Sequence, residues 1–269
     1  MSEKIKSPNC QICSFKSLLF NSLAQDELFK LNSCKEQFEF KKGEVVVREG
    51  DPIGSIIYVH NGLIKLHKRV NESQGQIISI AKPFDFVGLL SVFSKTEYFY
   101  SITAIEDSSV CFISKECILH EIENNGKFAL DIIKRMSNIT DDVLESKFAL
   151  SNKNLRGRIA YILLDFANNI YKSNEFELPV SRREIAELID MRTENVIRIM
   201  SEFRKDNIIK INGHTIEIIN PEMLQKVSDV GWSICWEAII LYFLIYWKKL
   251  FVVIPSIVWE NVSKWCVKC

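Results

Sequence analysis

The chain has no tryptophan in its first 231 residues, and all five tryptophans lie between Trp232 and Trp265. It also has no excess of charge, because 34 basic side chains balance 34 acidic ones. The net charge of zero therefore does not indicate any particular class of partner. If a chain of this composition binds nucleic acid, its positive side chains must be concentrated on one face. The N-terminal stretch MSEKIKSPNC lacks the apolar segment of a secretory signal, so we expect a cytoplasmic protein.

Sequence motifs of enzymes are absent as well. There is no glycine-rich phosphate loop, no HExxH and no GxSxG, and the four histidines are scattered along the chain. We therefore expect no enzymatic activity. In a reducing compartment, the eight cysteines are expected to be thiols, metal ligands or redox groups rather than a disulfide framework.

The tryptophan-rich tail, residues 230–269, is unlike the rest of the chain. Its apolar run Ile234–Trp247 spans only 14 residues and contains Glu237, and Lys248 and Lys249 follow directly. A membrane-spanning helix needs about 20 apolar residues, so we do not expect a membrane anchor. The tail can be an interfacial helix, an additional packing element or a non-native extension from a shifted reading frame, and its tryptophan content favours the last.

Residues 38–113 carry the pattern of an all-β sandwich or barrel. Short β-branched runs such as EVVV, SIIYV, LIKL and SVCFI alternate with glycine-containing turns at intervals of roughly ten residues. Within this region YVHNGLIKL predicts a hairpin, because Asn61 and Gly62 suit the positive φ angles of a type I′ turn.

The hydrophobic period changes to that of a helix between Lys127 and Leu150, a stretch without glycine or proline. Apolar residues recur there at spacings of three, four and seven and form one stripe: Ile132, Met136, Ile139, Val143 and Leu150. The stripe can pack on the β unit of its own chain or on the same helix of a second copy. Its regularity favours the second copy, and hence a homodimer.

The remaining apolar runs predict three helices and a hairpin, at residues 155–170, within 180–205 and at 208–219. Ser181 and Glu184 form a capping box at the start of the second of these helices. Thr193 is placed to cap the third. The apolar positions of VSRREIAELIDMRTENVIRIMSEFRK suit two short crossed helices, so we predict a helix-turn-helix followed by a wing with a turn at Asn212 and Gly213.

The start of that third helix exposes side chains that suit readout of DNA bases: Arg192, Thr193, Glu194, Asn195, Ile197 and Arg198. In the major groove arginine pairs with guanine, glutamate accepts from cytosine and asparagine reads adenine. Arg182, Arg183 and, on the wing, Lys210 and His214 are placed to contact the DNA backbone. The alternative is an ordinary amphipathic helical hairpin whose charged residues are merely solvated.

The segments KKGEVVVREGD, IIYVHNGLIKL, PFDFVGLLSVF, AIEDSSVCFI and SRREIAELIDMRTENVIRIMSEF together resemble the Crp/Fnr family of bacterial transcription regulators. The resemblance implies an α+β chain with a β-roll sensor (a double-stranded β-helix or jelly-roll) at residues 15–125, a dimerisation helix at 126–150 and a winged helix-turn-helix at 151–224. It implies a homodimer that binds a two-fold related site on double-stranded DNA and works with RNA polymerase. The tail at 230–269 lies outside the likeness.

By position in the family motif, Glu194 and Arg198 would be the base readers. Ile197 stands where members often have serine or glycine, and it can contact a thymine methyl group instead. Asp190 stands where the turn usually has glycine, and aspartate tolerates left-handed geometry better than most residues.

Two positions distinguish this chain from the cyclic-nucleotide binders of the family. Leu89 replaces the glutamate that holds the ribose, and no arginine occurs between Arg69 and Arg135 to pair with the cyclic phosphate. We therefore expect no binding of cyclic AMP. The aromatic cluster at residues 98–100 is expected to be core or dimer contact, with an apolar ligand pocket as the alternative.

The motif NCQIC resembles the first cysteine pair of the oxygen sensors of the family, which hold a [4Fe–4S] cluster with four thiolates. Cys10 and Cys13 match that pair and Cys111 matches the distal ligand, but Leu19 stands at the remaining position. Two further cysteines could substitute at a different spacing: Cys34 and Cys117. The alternatives are a dithiol switch, a zinc site, and cysteines without a ligand role.

A rival function is a signalling module that binds a ligand or partner without acting through DNA. It predicts that alanine at Glu194 and Arg198 leaves function intact, whereas a transcription regulator loses sequence-specific binding. The sequence favours a DNA-binding regulator that is controlled by a signal sensed in the β-roll or at the N-terminal cysteines.

Overall fold

A computed structural model describes residue 20 and residues 22–69 and 75–230, together with the backbone of residues 3–5. The expected ligands Cys10 and Cys13, and the tail from residue 231 onward, lie outside the described residues. In the part of the chain that is described, no helix is both long and apolar enough to cross a bilayer.

The described chain consists of an N-terminal part rich in strands and a C-terminal part rich in helices. The strands are β1 Glu3–Ile5, β2 Lys35–Phe40, β3 Val45–Val47, β4 Ser55–Asn61, β5 Ile64–Arg69, β6 Gly75–Ala81, β7 Phe86–Val87, β8 Ser101–Ala104, β9 Ser108–Ser114, β10 Glu175–Glu177, β11 Ile209–Asn212 and β12 Thr215–Ile218. The helices are α1 Gln25–Ser33, α2 Leu89–Val92, α3 Lys115–Asn124, α4 Gly126–Ser151, α5 Leu155–Asp165 with a π-helical extension Phe166–Tyr171, α6 Arg182–Leu188, α7 Thr193–Lys205 and α8 Pro221–Asp229.

The N-terminal part is a β-roll made of two antiparallel sheets. One sheet has the strand order β1-β2-β9-β4-β7, and the other has the order β3-β8-β5-β6. Side chains from both sheets meet in one core, in which Ile57, Ile64, Ile102 and Val110 are 0% exposed. This arrangement confirms the sandwich or barrel expected for residues 38–113.

Asn61 and Gly62 do not form the hairpin that the sequence predicted. β4 and β5 belong to different sheets, and of the two turn residues only Gly62 has a positive φ, 80°. The turn is a corner at which the chain passes from one sheet to the other. There the Leu63 carbonyl accepts bonds from the Ile105 N–H at 2.9 Å and the Ser108 hydroxyl at 3.1 Å. The pairing of β4 with β9 and of β5 with β8, between residues far apart in the sequence, therefore prevails over the local turn pattern.

We expect Gly62→Ala to lower the free energy of unfolding by about 2–4 kcal/mol. A Cβ at this position would lie 2.5 Å from the Asp107 carbonyl oxygen and 2.7 Å from the Ser108 Cα, on a backbone with positive φ. Gly43→Ala is the matched control, because Gly43 has a φ of +89° and no atom within 4 Å of an added Cβ. Urea denaturation measures both variants. Equal losses at the two positions would contradict the close approach at the corner.

The stripe on α4 lies against its own chain. Ile132 is 3% exposed, Met136 and Ile139 pack on the β-roll core, and Leu150 packs on the core of the C-terminal part. Intramolecular packing therefore buries Ile132, whereas Met136, Ile139 and Leu150 are only half-buried and Val143 is 37% exposed, so the contact of the stripe with a second copy stays a prediction. Asn125 begins the helix, since its side chain accepts the Phe128 N–H at 3.0 Å.

The C-terminal part is a helix-turn-helix with a three-stranded sheet. Its core includes Ile185, Val196, Phe203 and Ile216, each 0% exposed. The sheet has the order β10-β12-β11, and β11 and β12 form the predicted wing hairpin. The helices predicted at 155–170 and within 180–205 are confirmed as α5 with its extension, α6 and α7, so the chain has the α+β class that the sequence indicated.

Candidate DNA interface

The turn between α6 and α7 is built as the sequence indicates. The Ser181 hydroxyl accepts the Glu184 N–H at 3.2 Å and the Glu184 carboxylate accepts the Ser181 N–H at 2.8 Å, which confirms the capping box. Asp190 adopts a left-handed φ of 53°. The Met191 N–H then donates to the Ala186 carbonyl at 2.9 Å. These bonds set the direction in which α7 leaves α6.

The helix α7 begins one residue earlier than expected, which changes the role of Thr193. Arg192 is the N-cap residue, and its carbonyl accepts the N–H groups of Asn195 at 3.1 Å and Val196 at 3.3 Å. Thr193 is the first helical residue, so the prediction that its side chain caps α7 is wrong. The reason is that Arg192 is already in extended geometry, at φ −80° and ψ 142°, directly before the helix.

One face of α7 is buried and the opposite face is exposed. The buried face consists of Val196, Ile199, Met200 and Phe203, at 0–2% exposure. Arg192, Glu194, Ile197 and Arg198 are exposed, and Asn195 is half-buried. Ile197 is 52% exposed among these polar side chains.

Arg198 is held by its own helix in the absence of DNA. Its Nη1 donates to Oε1 of Glu202 at 2.5 Å, and the other oxygen of Glu202 accepts from Arg156 at 2.7 Å. Arg156 also donates to Asp206 at 2.9 Å. Because Glu202 keeps Arg156 as a partner, Arg198 can turn toward a ligand without leaving a carboxylate uncompensated.

The two arginines of α6 differ in exposure. The side chain of Arg183 is 64% exposed and donates to Glu187 at 3.1 Å. Arg182 is half-buried, and burial lowers the pKa of its guanidinium, which nevertheless stays charged. Arg183 is thus the better placed of the two to reach a phosphate.

The wing places His214 at its exposed tip. Asn212 and Thr215 face each other across the strands, so the two turn residues are Gly213 and His214, one residue later than the predicted Asn212 and Gly213. Of the two, only Gly213 has a positive φ, 61°. Lys210, on the preceding strand, donates to Glu217 at 3.2 Å. The wing therefore offers an imidazole at its tip, while its lysine is already paired.

A cleft of about 650 Å³ brings several of the predicted residues together. One wall includes Arg183, Arg192, Thr193 and Glu194, and the first two residues of β6 line the other. The remaining predicted residues do not line this cleft: Arg182, Asn195, Ile197, Arg198 and His214. The start of α7 thus lies next to the β-roll of its own chain.

The structure adds one residue that sequence reasoning missed, Lys65. Its Nζ donates to Oε1 of Glu184 at 2.5 Å, and only 16% and 24% of the two side chains are exposed. Burial raises the pKa of Glu184, but the hydrogen bonds from Lys65 and Ser181 outweigh it, so this pKa lies below its ordinary value. The carboxylate that caps α6 therefore also ties the helix to β5.

We expect Lys65→Met to lower the free energy of unfolding by about 1–3 kcal/mol, because the half-buried Glu184 charge loses its partner. Lys41→Met is the matched control, since the Lys41–Asp107 pair at 2.8 Å is 78% and 63% exposed. Solvent screens such a pair, so stability should hardly change. Denaturation at neutral pH compares the two variants with the unmodified chain. Similar losses would contradict the special role of Lys65.

A pH dependence follows from the lowered pKa of Glu184. Its folded pKa lies below the ordinary value of 4.5, so its contribution is complete above that pH and is lost as the pH falls through the folded pKa. Glu184→Gln keeps a side chain that suits the capping box but removes the charge. We expect its stability deficit to shrink between about pH 6 and pH 3. Melting temperatures of both proteins across this pH range measure the deficit. A stability deficit of Glu184→Gln that stayed constant would contradict a lowered pKa of Glu184.

The candidate ligand Cys111 lies in the middle of β9 and is 4% exposed. Its neighbours in the sheet are Gln37 on β2 and Tyr58 on β4. β1 pairs with the far side of β2 and places Ile5 opposite Gln37, which puts Ile5 two strand spacings, about 10 Å, from Cys111. Among the described residues, no group of three or more His, Cys, Asp or Glu side chains is close enough to hold a metal ion.

The two cysteines considered as substitute ligands are bonded to each other. Cys34 and Cys117 form a disulfide with their Cα atoms 6.5 Å apart. The expectation of thiols or ligands is therefore wrong for this pair in the state that the structure shows. Sequence spacing gave no sign of the bond, because 83 residues separate the two cysteines.

The aromatic cluster fills the β-roll. Tyr98 and Tyr100 are 4% and 5% exposed, and Leu89 beside them is 1% exposed. The Tyr98 hydroxyl donates to the Ser55 carbonyl at 3.1 Å, and burial raises the pKa of both tyrosines. Phe99 is 47% exposed. The core interpretation is confirmed for the two tyrosines.

The chain combines a β-roll, a long helix and a winged helix-turn-helix whose α7 has an exposed polar face. This combination defines a DNA-binding regulator with a sensor part. Known families match both parts: the cyclic nucleotide-binding domain over residues 37–125 and the Crp-like helix-turn-helix domain over residues 157–227. The chain belongs to the Crp/Fnr family of transcription regulators. It is a DNA-binding regulator and not an enzyme.

Individual relatives agree with this assignment. The chain is 28% identical over 231 residues to the transcriptional activator protein Anr of Pseudomonas aeruginosa, which covers 82% of this chain and 94% of that protein. It is 27% identical over 230 residues to the fumarate and nitrate reduction regulatory protein of Vibrio cholerae, covering 83% and 91%. The structure of FixK2 from Bradyrhizobium japonicum has the same fold, with a TM-score of 0.66 at 21% identity over 73% of this chain and 98% of that chain.

Proposed function

We propose that the chain acts as a homodimer that binds a two-fold related site on double-stranded DNA, with α7 of each copy in a major groove. The observation that carries the proposal is α7 itself. Its apolar face is buried to 0–2%, while Glu194, Ile197 and Arg198 stand exposed on the other side. Because its apolar face is packed in the core, α7 is held in place before DNA binds. Its exposed side chains can therefore contact base edges with little loss of backbone conformational entropy.

Three parts of the chain divide this work in the proposal. Residues 15–125 form the sensor, residues 126–150 the dimerisation helix and residues 151–224 the DNA-binding part. The end of α3 at Asn124 and the end of α4 at Ser151 support these limits.

Each side chain of the predicted interface has a proposed role. Arg198 would pair with guanine O6 and N7, Glu194 would accept from cytosine N4, and Asn195 would read adenine. Ile197 would contact a thymine methyl group. The backbone contacts would come from the flanking positions: Arg182, Arg183, Arg192, Thr193 and His214.

An apolar face of α4 supports the homodimer. It is distinct from the stripe that packs on the chain itself, and it consists of Leu130, Ile133, Leu144 and Phe148, at 49%, 58%, 49% and 65% exposure. Beside it, Leu90 and Met136 line a shallow cleft of about 380 Å³ together with Ile133. An apolar face of this kind on a long helix fits a second copy of the same helix related by a two-fold axis.

Selection of binding sites from a random pool of double-stranded DNA tests the proposal. We expect enrichment of a sequence with two related half-sites whose centres lie about 10 base pairs, or a multiple of this, apart. A single half-site without a two-fold partner would contradict the dimer, and an unenriched pool would contradict the base-reading roles. A signalling module that does not act through DNA predicts the unenriched pool.

We further propose that the signal is not cyclic AMP and is read in the β-roll or at the N-terminal cysteines. Leu89, Tyr98 and Tyr100 fill the interior where a nucleotide would need polar partners. The chain would work in the cytoplasm together with RNA polymerase, and its likeness to proteins named transcriptional activators supports a role in transcription.

If the signal is read at the N-terminal cysteines, the sensing group would be an iron–sulfur cluster held by Cys10, Cys13 and Cys111. The chain from Ile5 to Cys10 can extend about 17 Å, more than the distance of about 10 Å that separates Ile5 from Cys111. When bound, such a cluster would supply an oxygen-sensitive redox group. The burial of Cys111 and the leucine at position 19 weigh against it.

The test is to measure the iron and sulfide content and the visible spectrum of the full chain purified without oxygen. The result decides between an iron–sulfur cluster and a small ligand of the β-roll. About one cluster per subunit that bleaches in air would support Cys10, Cys13 and Cys111 as ligands. Colourless protein without iron would overturn the cluster and leave a small ligand of the β-roll as the signal.

A further inference from the structure

The disulfide between Cys34 and Cys117 joins the end of α1 to the first turn of α3. Cys34 is the residue that ends α1, and Cys117 is the third residue of α3, which leads through Asn125 directly into α4. The bond therefore closes a loop between the first helix and the segment from which the long helix starts. It does not belong to the recognition surface described above.

Both cysteines of the pair lie nearer the surface than Cys111. Each is half-buried, whereas Cys111 is 4% exposed. Their electrostatic surroundings differ: Cys117 is in the first turn of α3, where the helix dipole favours an anion, and Cys34 is at the end of α1, where it does not. Cys117 is thus the better placed to react as a thiolate, with Cys34 as the second thiol.

Hydrogen bonds join the start of α1 to the start of α4, and α1 itself connects them to the disulfide. Asn125 caps α4 through its side-chain oxygen, and its Nδ2 donates to the carboxylate of Glu27 at 3.1 and 3.2 Å and to the Ser22 carbonyl at 3.3 Å. Glu27 is in the first turn of α1. Thus α1 supports the cap of α4 at one end and is tied to α3 by the disulfide at the other.

We propose that Cys34 and Cys117 are a reversible redox pair that controls how firmly α1 supports the cap of α4. Oxidation by a hydroperoxide proceeds in two steps. The Cys117 thiolate attacks the peroxide oxygen and releases hydroxide or alkoxide, which gives a sulfenic acid. The Cys34 thiol then attacks that sulfur, and water leaves. A small thiol reductant returns both groups to thiols and is itself converted to a disulfide.

The compartment supports a reversible bond. A regulator that acts on DNA works where thiols are kept reduced, and disulfides that form there are transient and report oxidation. This step rests on the regulatory function given above. The structure shows the oxidised form, in which the path from α1 to Asn125 is intact.

The test uses the full chain, reduced with dithiothreitol or treated with one equivalent of hydrogen peroxide, and no DNA. Peptide mapping should find the Cys34–Cys117 link after peroxide and lose it after dithiothreitol. Hydrogen exchange in residues 24–33 and 126–130 should slow by about tenfold in the linked form. The melting temperature should rise by roughly 5–10 °C.

Matched variants keep the result interpretable. Cys34→Ser and Cys117→Ser should each show no difference between peroxide and dithiothreitol in exchange at residues 126–130. Either one suffices if the other folds poorly. A link that fails to form with peroxide, that resists dithiothreitol, or that forms without slowing exchange at the start of α4 would overturn the proposal. None of these readouts depends on DNA binding, so they cannot be confused with a failure of the recognition helix.

Discussion

Arg198→Ala should weaken binding to the selected DNA site by about 1–3 kcal/mol, roughly 5- to 150-fold, and leave binding to random DNA almost unchanged. The exposed guanidinium of Arg198 is expected to make two hydrogen bonds to one guanine. Alanine removes both bonds but only one positive charge from the interface. Glu194→Ala should act similarly at its own base pair, where it should relax the preference for cytosine.

Arg198→Lys is the matched variant for this prediction. Lysine keeps the charge but cannot form the paired bonds of a guanidinium. Binding to random DNA and its salt dependence should stay at the level of the unmodified chain, while the preference for the selected site falls. Fluorescence anisotropy with the selected duplex and a random duplex, each at several salt concentrations, measures the specificity and the salt dependence of binding separately. Full retention of specificity in Arg198→Ala would favour a chain that does not read DNA through α7.

Leu144→Asp should raise the dissociation constant of the dimer by on the order of 100-fold or more, because each copy would bury an unpaired carboxylate. Leu144 is one of the four residues of the exposed apolar face of α4 and is 49% exposed in the single chain. The monomer should keep its fold, because no described intramolecular core includes this side chain. Affinity for the full two-fold site should fall with dimerisation, since the second half-site no longer binds as part of one molecule.

Asn138→Asp is the control for the dimer prediction. Asn138 is exposed on α4 but lies off the apolar face, so the same added charge should leave association unchanged. Sedimentation equilibrium of both variants gives the dissociation constants directly. A Leu144→Asp protein that stays dimeric would place the contact between copies elsewhere.

Local sequence patterns predicted much of the fold because the corresponding interactions are local. The capping box at Ser181 and Glu184 joins residues three apart, and the wing hairpin joins adjacent strands. Residues 38–113 carried a strand pattern that only a sheet can satisfy. The left-handed turn at Asp190 was expected from its place in the family motif.

Two local features, the cap of α7 and the turn of the wing, were predicted one residue out of place. The other differences concern contacts between distant residues or the partner of a surface. The sequence Asn61-Gly62 is typical of a hairpin turn, but β4 and β5 belong to different sheets and do not pair with each other. The α4 stripe has the period of a helix that packs, and a period does not say on what. The bonds Lys65–Glu184 and Cys34–Cys117 span 119 and 83 residues, and nothing local encodes such a pair.

The central claim is that α7 gives this chain a preference for one DNA sequence. The most direct measurement is the ratio of the dissociation constants for a shuffled duplex and for the selected site, with the full chain at physiological salt. The account predicts a ratio on the order of 10³ or more. Equal affinity for the two duplexes would contradict it.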